Sequence, residues 1–262
     1  MKLLMGFLLN IQFFTSIPVR RSLPMDEACM KRALGVMPLA GLLQGVLWAG
    51  LLYTMLNMTP VSALAAAFFL WLAGIAITGG LHLDGWADAS DAYFSYRDRE
   101  KRLAIMSDPR IGAFGVLSLV VLLAARFFFI YETVLYIKPE AYVWIASIPF
   151  FGKAVTGLLI AFVPAAKAEG LAYYFRKFAG SWLAWLYGAY LAVFLAVLIL
   201  LGGSAGGVVL LAAASSAFLF AGRRQAKKLF GGITGDVLGA ASEGTELMLW
   251  MIVWLLHFSA MG

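Results

Sequence analysis

Apolar residues run through this chain in long blocks, with polar residues gathered in the short intervals between them. The blocks fall at 34–56, 61–81, 112–135, 141–163, 182–201, 205–221 and 245–260. About 20 apolar residues, with a range of ~17–25, cross a bilayer core as a helix. Unpaired backbone groups are not tolerated in lipid, so the blocks must be helices. The first five are long enough, the sixth is short, and the seventh reaches full length if its helix begins upstream, near Gly235. The pattern predicts an all-α, polytopic membrane bundle of about seven spans, forming one domain over 1–262. Residues 3–17, "LLMGFLLNIQFFTSI", include Asn10, Gln12 and Thr15 and are marginal for a span. They predict a short interfacial or buried helix. Lys2 and the apolar run after it look like the start of a signal peptide, but no small-residue cleavage pattern follows.

Composition agrees with this class and excludes an ordinary soluble domain. The chain is 63% hydrophobic and 13% charged, against roughly 45–50% and about 25% for soluble domains. The lone Cys29 forms no intramolecular disulfide. A net charge of +6 suggests nucleic acid at first sight, yet its distribution points to membrane orientation instead. Five Lys and Arg precede the first span, five lie in 82–111, three in 164–181 and four in 222–235, while the alternate loops hold Lys138 alone. The positive-inside rule places the N-terminus and those basic loops in the cytoplasm. With seven spans, the C-terminus falls outside.

Against this background "GGLHLDGWADASD", 79–91, is out of place. Asp84, Asp88 and Asp91 lie at roughly 0°, 40° and −20° on a helix, so they share one face. Like charges so arranged repel. Their neighbours are small or apolar, unlike the exposed run "YRDREKR" at 96–102, which reads as a solvated face. Ionisable groups at membrane depth are functional by default, and carboxylates with no His or Cys cluster select Mg²⁺, Mn²⁺ or Ca²⁺. A second stripe, "FGGITGDVLGAASEGTELM" at 230–248, sets Asp236, Glu243 and Glu246 at roughly 0°, −20° and −80°. Gly231, Gly235 and Gly239 recur beside it every four residues and predict close helix packing, as do Gly41 and Gly45. Both acidic segments start on the basic side, so the topology permits one six-acid metal cluster.

Cationic residues complete the candidate set. Asp108-Pro109 predicts a turn or helix start, with Arg110 either a membrane anchor or a phosphate clamp. Arg126 and Lys153 lie inside spans and need an acid or an anionic substrate as partner. His82 reads as interfacial packing, His257 is given no role, and the Trp and Tyr residues of 182–190 read as an interfacial belt. Hard metals on carboxylates suit displacement at a pyrophosphate, two ions about 3.5–4 Å apart neutralising the attacking and leaving oxygens. Three classes remain open on the residues alone: a phosphotransferase of the CDP-alcohol type, an aspartate-rich membrane prenyltransferase, and a cation transporter.

The strings "FFTSIPVR", "GGLHLDGWADASD", "RLAIMSDPRIGAFG" and "GGITGDVLGAASEGTE", in that order over nearly the whole chain, resemble the cobalamin synthase, or adenosylcobinamide-GDP ribazoletransferase, family. The resemblance implies attack on adenosylcobinamide-GDP by the 3′-hydroxyl of α-ribazole or its 5′-phosphate, with Mg²⁺, release of GMP and formation of adenosylcobalamin or its 5′-phosphate. It also implies a bacterial inner-membrane enzyme with its site facing the cytoplasm, small-molecule substrates, no nucleic-acid partner, and room for a homo-oligomer. Carried over by position, Asp84, Asp88, Asp91, Asp236, Glu243 and Glu246 match the family's acidic motifs and form the expected metal cluster, and Asp108 and Arg110 match its central motif. Within that set we expect Asp84, Asp88 and Asp236 to bind metal, Asp91 or Glu243 to take the hydroxyl proton, Arg110 to act on phosphate, and Asp108, Arg110, Arg126 and Lys153 to bind substrate. The chain departs from the family pattern at Ala92, where glycine usually follows the aspartate, and at Lys153, where arginine is expected.

Overall fold

The computed structural model describes residues 2–259. Eleven helices follow one another among the described residues: α1 (Lys2–Phe14), α2 (Glu27–Met58), α3 (Ala63–Thr78), α4 (Leu81–Phe94), α5 (Arg99–Ile105), α6 (Ala113–Leu135), α7 (Pro139–Phe162), α8 (Gly170–Arg176), α9 (Trp182–Leu200), α10 (Gly206–Gln225) and α11 (Gly235–Ser259). A π turn, Ala226–Phe230, extends α10. The all-α membrane class is as expected; the span count differs. Five helices are long and apolar enough to cross a bilayer, or six if the bent pair α3–α4 is one broken span. The seventh expected span is α11, which is 25 residues long but carries Asp236, Glu243 and Glu246 along its first half. Its expected end at 260, like the domain limits at 1 and 262, lies outside the described residues.

Helix α7 is the axis of the bundle and is buried along nearly its whole length. α2, capped by the Asp26 carboxylate accepting from the Cys29 amide at 2.8 Å, packs directly on it. A Cβ on Gly41 or Gly45 would collide with the backbone carbonyl of Pro149 or Ala146, so the two glycines let α2 and α7 touch backbone to backbone. α2 spans 32 residues, longer than its apolar block, because polar Glu27–Arg32 begin the same helix. The short sixth block likewise extends to 25 residues through the π turn. α9 and α10 pack on this axis, α6 packs on α3, α4 and α11, and the three turn Val120, Val121, Val193, Ile199 and Phe220 outward, as lipid-facing helices do. α1 is a short helix, as expected for 3–17, with one buried face: Leu9 and Asn10 are inside, the Asn10 amide donates to Ala33 O at 2.8 Å, and Leu3 and Leu4 are exposed.

The second apolar block does not cross as one rod. α3 ends after 16 residues, Gly79 and Gly80 adopt left-handed φ of 61° and 79°, and α4 leaves at 84° to α3. Side chains with a Cβ resist this conformation, whereas glycine enters it freely. Ser16 seals the exposed end of α3, its amide donating to Ile77 O at 2.8 Å and its hydroxyl to Ala76 O at 2.6 Å. Freed helix carbonyls thereby gain partners. The polar tail of the N-terminal segment thus pins the bend from which the acidic helix departs.

The four basic segments meet at one end of the bundle. Asp91 reaches the loop before α6, Lys167 bonds to Ser107, and the Tyr174 hydroxyl donates to Met25 O at 2.5 Å. An isolated parallel bridge joins Ala165 to Ile233. Of the expected belt, Trp185 faces outward, but Tyr187 is buried, its hydroxyl donating to Leu34 O at 2.5 Å. Arg102 departs from the solvated reading of 96–102: it is buried, with Nε donating to Arg97 O at 2.7 Å.

Candidate active site

The acids of α4 face α11 across a very close crossing. A Cβ on Gly85 would lie 2.9 Å from both Cα and O of Asp236, so only glycine admits this contact. Gly239 packs likewise on His82, but Gly231 sits in a left-handed turn outside the helix and Gly235 faces open space. Of the three spaced glycines, then, one packs between helices. The crossing brings Asp84, Asp91 and Asp236 within electrostatic reach of Asp88, and Asp84 within reach of Asp236. Among the described residues, no Lys or Arg forms an ion pair with Asp84, Asp88 or Asp236. The Thr234 hydroxyl donates to this group, at 3.3 Å to Asp236.

Asp91 has a different setting. Its two carboxylate oxygens accept from the amides of Gly112 and Gly115 at 2.7 and 2.8 Å. Gly112 is the N-cap of α6 and has no side chain to cap it; Asp91 supplies that cap from another helix and sets a negative charge against the helix's positive end. The same contact anchors the loop that carries Arg110. There the Asp108 carboxylate accepts from the Arg110 amide at 3.0 Å and from Nε and Nη2 at 2.9 and 2.7 Å. The Arg110 guanidinium, with its amide, holds the exposed Asp108 carboxyl down at about 2. Arg110 itself remains highly exposed, on the loop that Asp91 anchors.

Glu243 and Glu246 do not join Asp84, Asp88 and Asp236. Seven residues of helix, about 10 Å of rise, separate Asp236 from Glu243, and both glutamates are buried. Glu243 pairs with Arg126 of α6 in the core. Glu246 lies against Gly152 of α7, and both glutamates are within electrostatic reach of Lys153, which is also buried. Two cations and two anions therefore balance inside the bundle. Phe14 adjoins them, 5.0 Å below the Lys153 ammonium and 6.3 Å from the His82 ring. His82 is buried, as packing would have it, and lies within reach of Lys153 and Arg126.

The open carboxylates offer only oxygen donors, which suits a hard divalent cation. The fit lies in this chemistry and in the convergence of unpaired negative charge. No three His, Cys, Asp or Glu among the described residues close on one point as a ligand shell. Sequence reasoning missed Lys167. Its ammonium bonds to the Ser107 hydroxyl and lies within reach of Asp236. The bridge between Ala165 and Ile233 carries it there, and that long-range pairing leaves no local signal.

Comparison with known proteins bears on what such a site belongs to. The profile of the cobalamin-5-phosphate synthase family matches residues 6–254. The chain belongs to the cobalamin-5-phosphate synthase family. Its relatives in that family include the adenosylcobinamide-GDP ribazoletransferase of Geobacillus thermodenitrificans, 44% identical over 98% of each chain. A protein of the same name from Geobacillus kaustophilus is 43% identical over 98% of each. Another from Halalkalibacterium halodurans is 31% identical over 97% of each. No solved structure matches. The four motifs that carried the resemblance all fall within the matched region, and three of them contribute to the rim of the site.

Proposed function

We propose that this chain transfers the phosphocobinamide group of adenosylcobinamide-GDP to the 3′-hydroxyl of α-ribazole or its 5′-phosphate. The oxygen–phosphorus bond to the ribazole forms, the bond to the GMP oxygen breaks, and GMP leaves. The observation that carries this reading is the meeting of Asp84 and Asp88 with Asp236 at a backbone-close crossing at the basic end of the bundle, with no ion pair to any of the three among the described residues.

Asp84, Asp88 and Asp236 are the residues that would hold Mg²⁺. When bound, it neutralises charge on the attacking and leaving oxygens. Arg110 and Lys167 flank the acids at the rim and bind phosphate oxygens, the guanidinium through paired donors. Asp91 acts as a positioning residue, holding the α6 terminus and the Arg110 loop. Both of its oxygens are occupied, and Glu243 is tied to Arg126. The attacking hydroxyl therefore gives its proton to an unpaired carboxylate of the cluster, Asp84 or Asp88. Arg126 and Lys153 support the site from below as counter-ions of Glu243 and Glu246. The enzyme sits in the bacterial inner membrane with this end in the cytoplasm, where the charged substrates are.

The test is direct. Purified protein given adenosylcobinamide-GDP, α-ribazole and Mg²⁺ releases GMP, and Asp88→Asn removes that release while retaining the wild-type unfolding profile. Full turnover in Asp88→Asn would overturn the site; failure of the wild-type chain to release GMP from this pair would overturn the reaction.

A further inference from the structure

The face of α4 opposite its aspartates borders a second, unrelated concavity. An apolar groove of about 580 Å³ runs between α4, α6, the π turn and α11, lined by Trp86, Phe94, Phe114, Leu117 and Val121 among others. A smaller chamber of about 330 Å³ adjoins it, lined by Arg224, Gln225 and Lys228. Tyr93, Gln225 and Leu229 line both, so the two chambers share a wall. Neither chamber has a carboxylate in its wall. Among the described residues, Arg224 and Lys228 form no ion pair.

The arrangement has a direction. The basic chamber lies at the end of the bundle where the cationic segments meet. The apolar groove extends from it along the outward face of α6, where Leu117 and Val121 are 61% and 59% exposed. Phe94 stacks on Phe114 at 5.4 Å, and Tyr93 meets Phe94 edge-on at 5.0 Å, forming an aromatic collar where the two chambers adjoin. Aromatic rings of this kind favour the headgroup level of a bilayer. Basic pockets beside spanning helices bind anionic lipid head groups. The π turn Ala226–Phe230 places Lys228 and Leu229 in the wall; such wide turns cluster at functional sites.

We propose that these adjoining chambers form a specific site for one anionic phospholipid, its phosphate between Arg224 and Lys228 and an acyl chain in the groove beside α6. The ligand is a lipid and not a free phosphate ester, because the larger chamber is apolar and opens to the membrane side. The site stands apart from the acidic cluster and does not depend on the reaction assigned to it.

The experiment is native mass spectrometry of the full-length protein released from nanodiscs of phosphatidylcholine containing one-fifth phosphatidylglycerol. Wild type is expected to retain one phosphatidylglycerol, with selectivity over phosphatidylcholine of about tenfold or more, since each Lys or Arg near a surface contributes on the order of 1 kcal/mol. Arg224→Gln/Lys228→Gln should lose that selectivity while keeping GMP release in detergent. Val121→Trp should reduce retention of either lipid by filling the groove, and its exposed position makes it a mild change to the fold. Equal retention of the two lipids by wild type would overturn the proposal, as would unchanged selectivity in the double variant. Displacement of the lipid by millimolar glycerol 3-phosphate would assign the basic chamber to a soluble phosphate instead. A wild-type dimer without lipid, broken by Val121→Trp, would assign the groove to a second copy of the chain.

Discussion

Two groups of charges lie along α11 about two turns apart and obey opposite rules. At the rim, Asp236 meets Asp84 and Asp88, and no basic side chain pairs with them. In the core, Glu243 and Glu246 meet Arg126 and Lys153, and the signs balance. The inner group holds an ion pair, Arg126 with Glu243, and sets Glu246 and Lys153 within electrostatic reach, so it belongs to the architecture and joins α6, α7 and α11. The outer group is unsatisfied and belongs to whatever binds there. Counting acidic residues cannot separate these cases; counting their partners does.

The largest effect is expected from breaking the inner balance. Arg126→Leu leaves Glu243 buried without its partner and should cost about 3–5 kcal/mol, because an orphaned buried charge keeps its full desolvation penalty. Arg126→Leu/Glu243→Leu should recover most of that loss, and thermal unfolding in detergent reads both. Next comes the mirror experiment at the rim. Asp84→Asn should leave stability unchanged or slightly raised, by removing like-charge repulsion. GMP release should fall at least about a hundredfold, as expected for a group acting on the reacting phosphate. A stability loss matching that of Arg126→Leu would erase the distinction between the two groups.

Smaller changes sharpen it. Gly85→Ala sets a methyl against the Asp236 backbone and should cost about 1–3 kcal/mol by forcing the helices apart, with loss of turnover from the displaced acids. Asp91→Ala should cost about 1 kcal/mol as a lost helix cap; Asp91→Asn should restore part of it, and Arg110-dependent substrate KM should follow the same order. The smallest effect lies in the exposed loop. The Asp108 carboxyl is held at about 2 by Arg110, below its unfolded value, so its contribution is present above about pH 4. That contribution disappears as pH falls through 2, so the loop should not change between pH 5 and 9. Carboxyl NMR should place the Asp108 midpoint near 2, and Arg110→Gln should return it to the ordinary range.

How much of this was legible in the sequence follows from how local each property is. Span hydropathy sums over neighbours, so helices α2, α6, α7, α9 and α10 appear as apolar blocks. The common face of Asp84, Asp88 and Asp91 follows from helical angle alone. Angle says nothing of depth, however: Glu243 and Asp236 share an azimuth although their heights differ. That Arg126 requires a partner was legible from its place in a span; that the partner is Glu243, 117 residues away, was not. Lys167 was hidden for the same reason. The division of the second block was written in Gly79-Gly80, but apolar residues on both sides continue the hydropathy signal through the break.

The right-angled turn at those two glycines has a consequence for where chemistry can happen. If α3 descends along the membrane normal, α4 lies almost flat in the plane of the interface, a shelf instead of a shaft. Asp84, Asp88 and Asp91, spread over about 10 Å of helix, then stand at one depth. The two substrates of the proposed reaction can then approach side by side along the shelf, and no carboxylate needs to enter hydrocarbon to reach them.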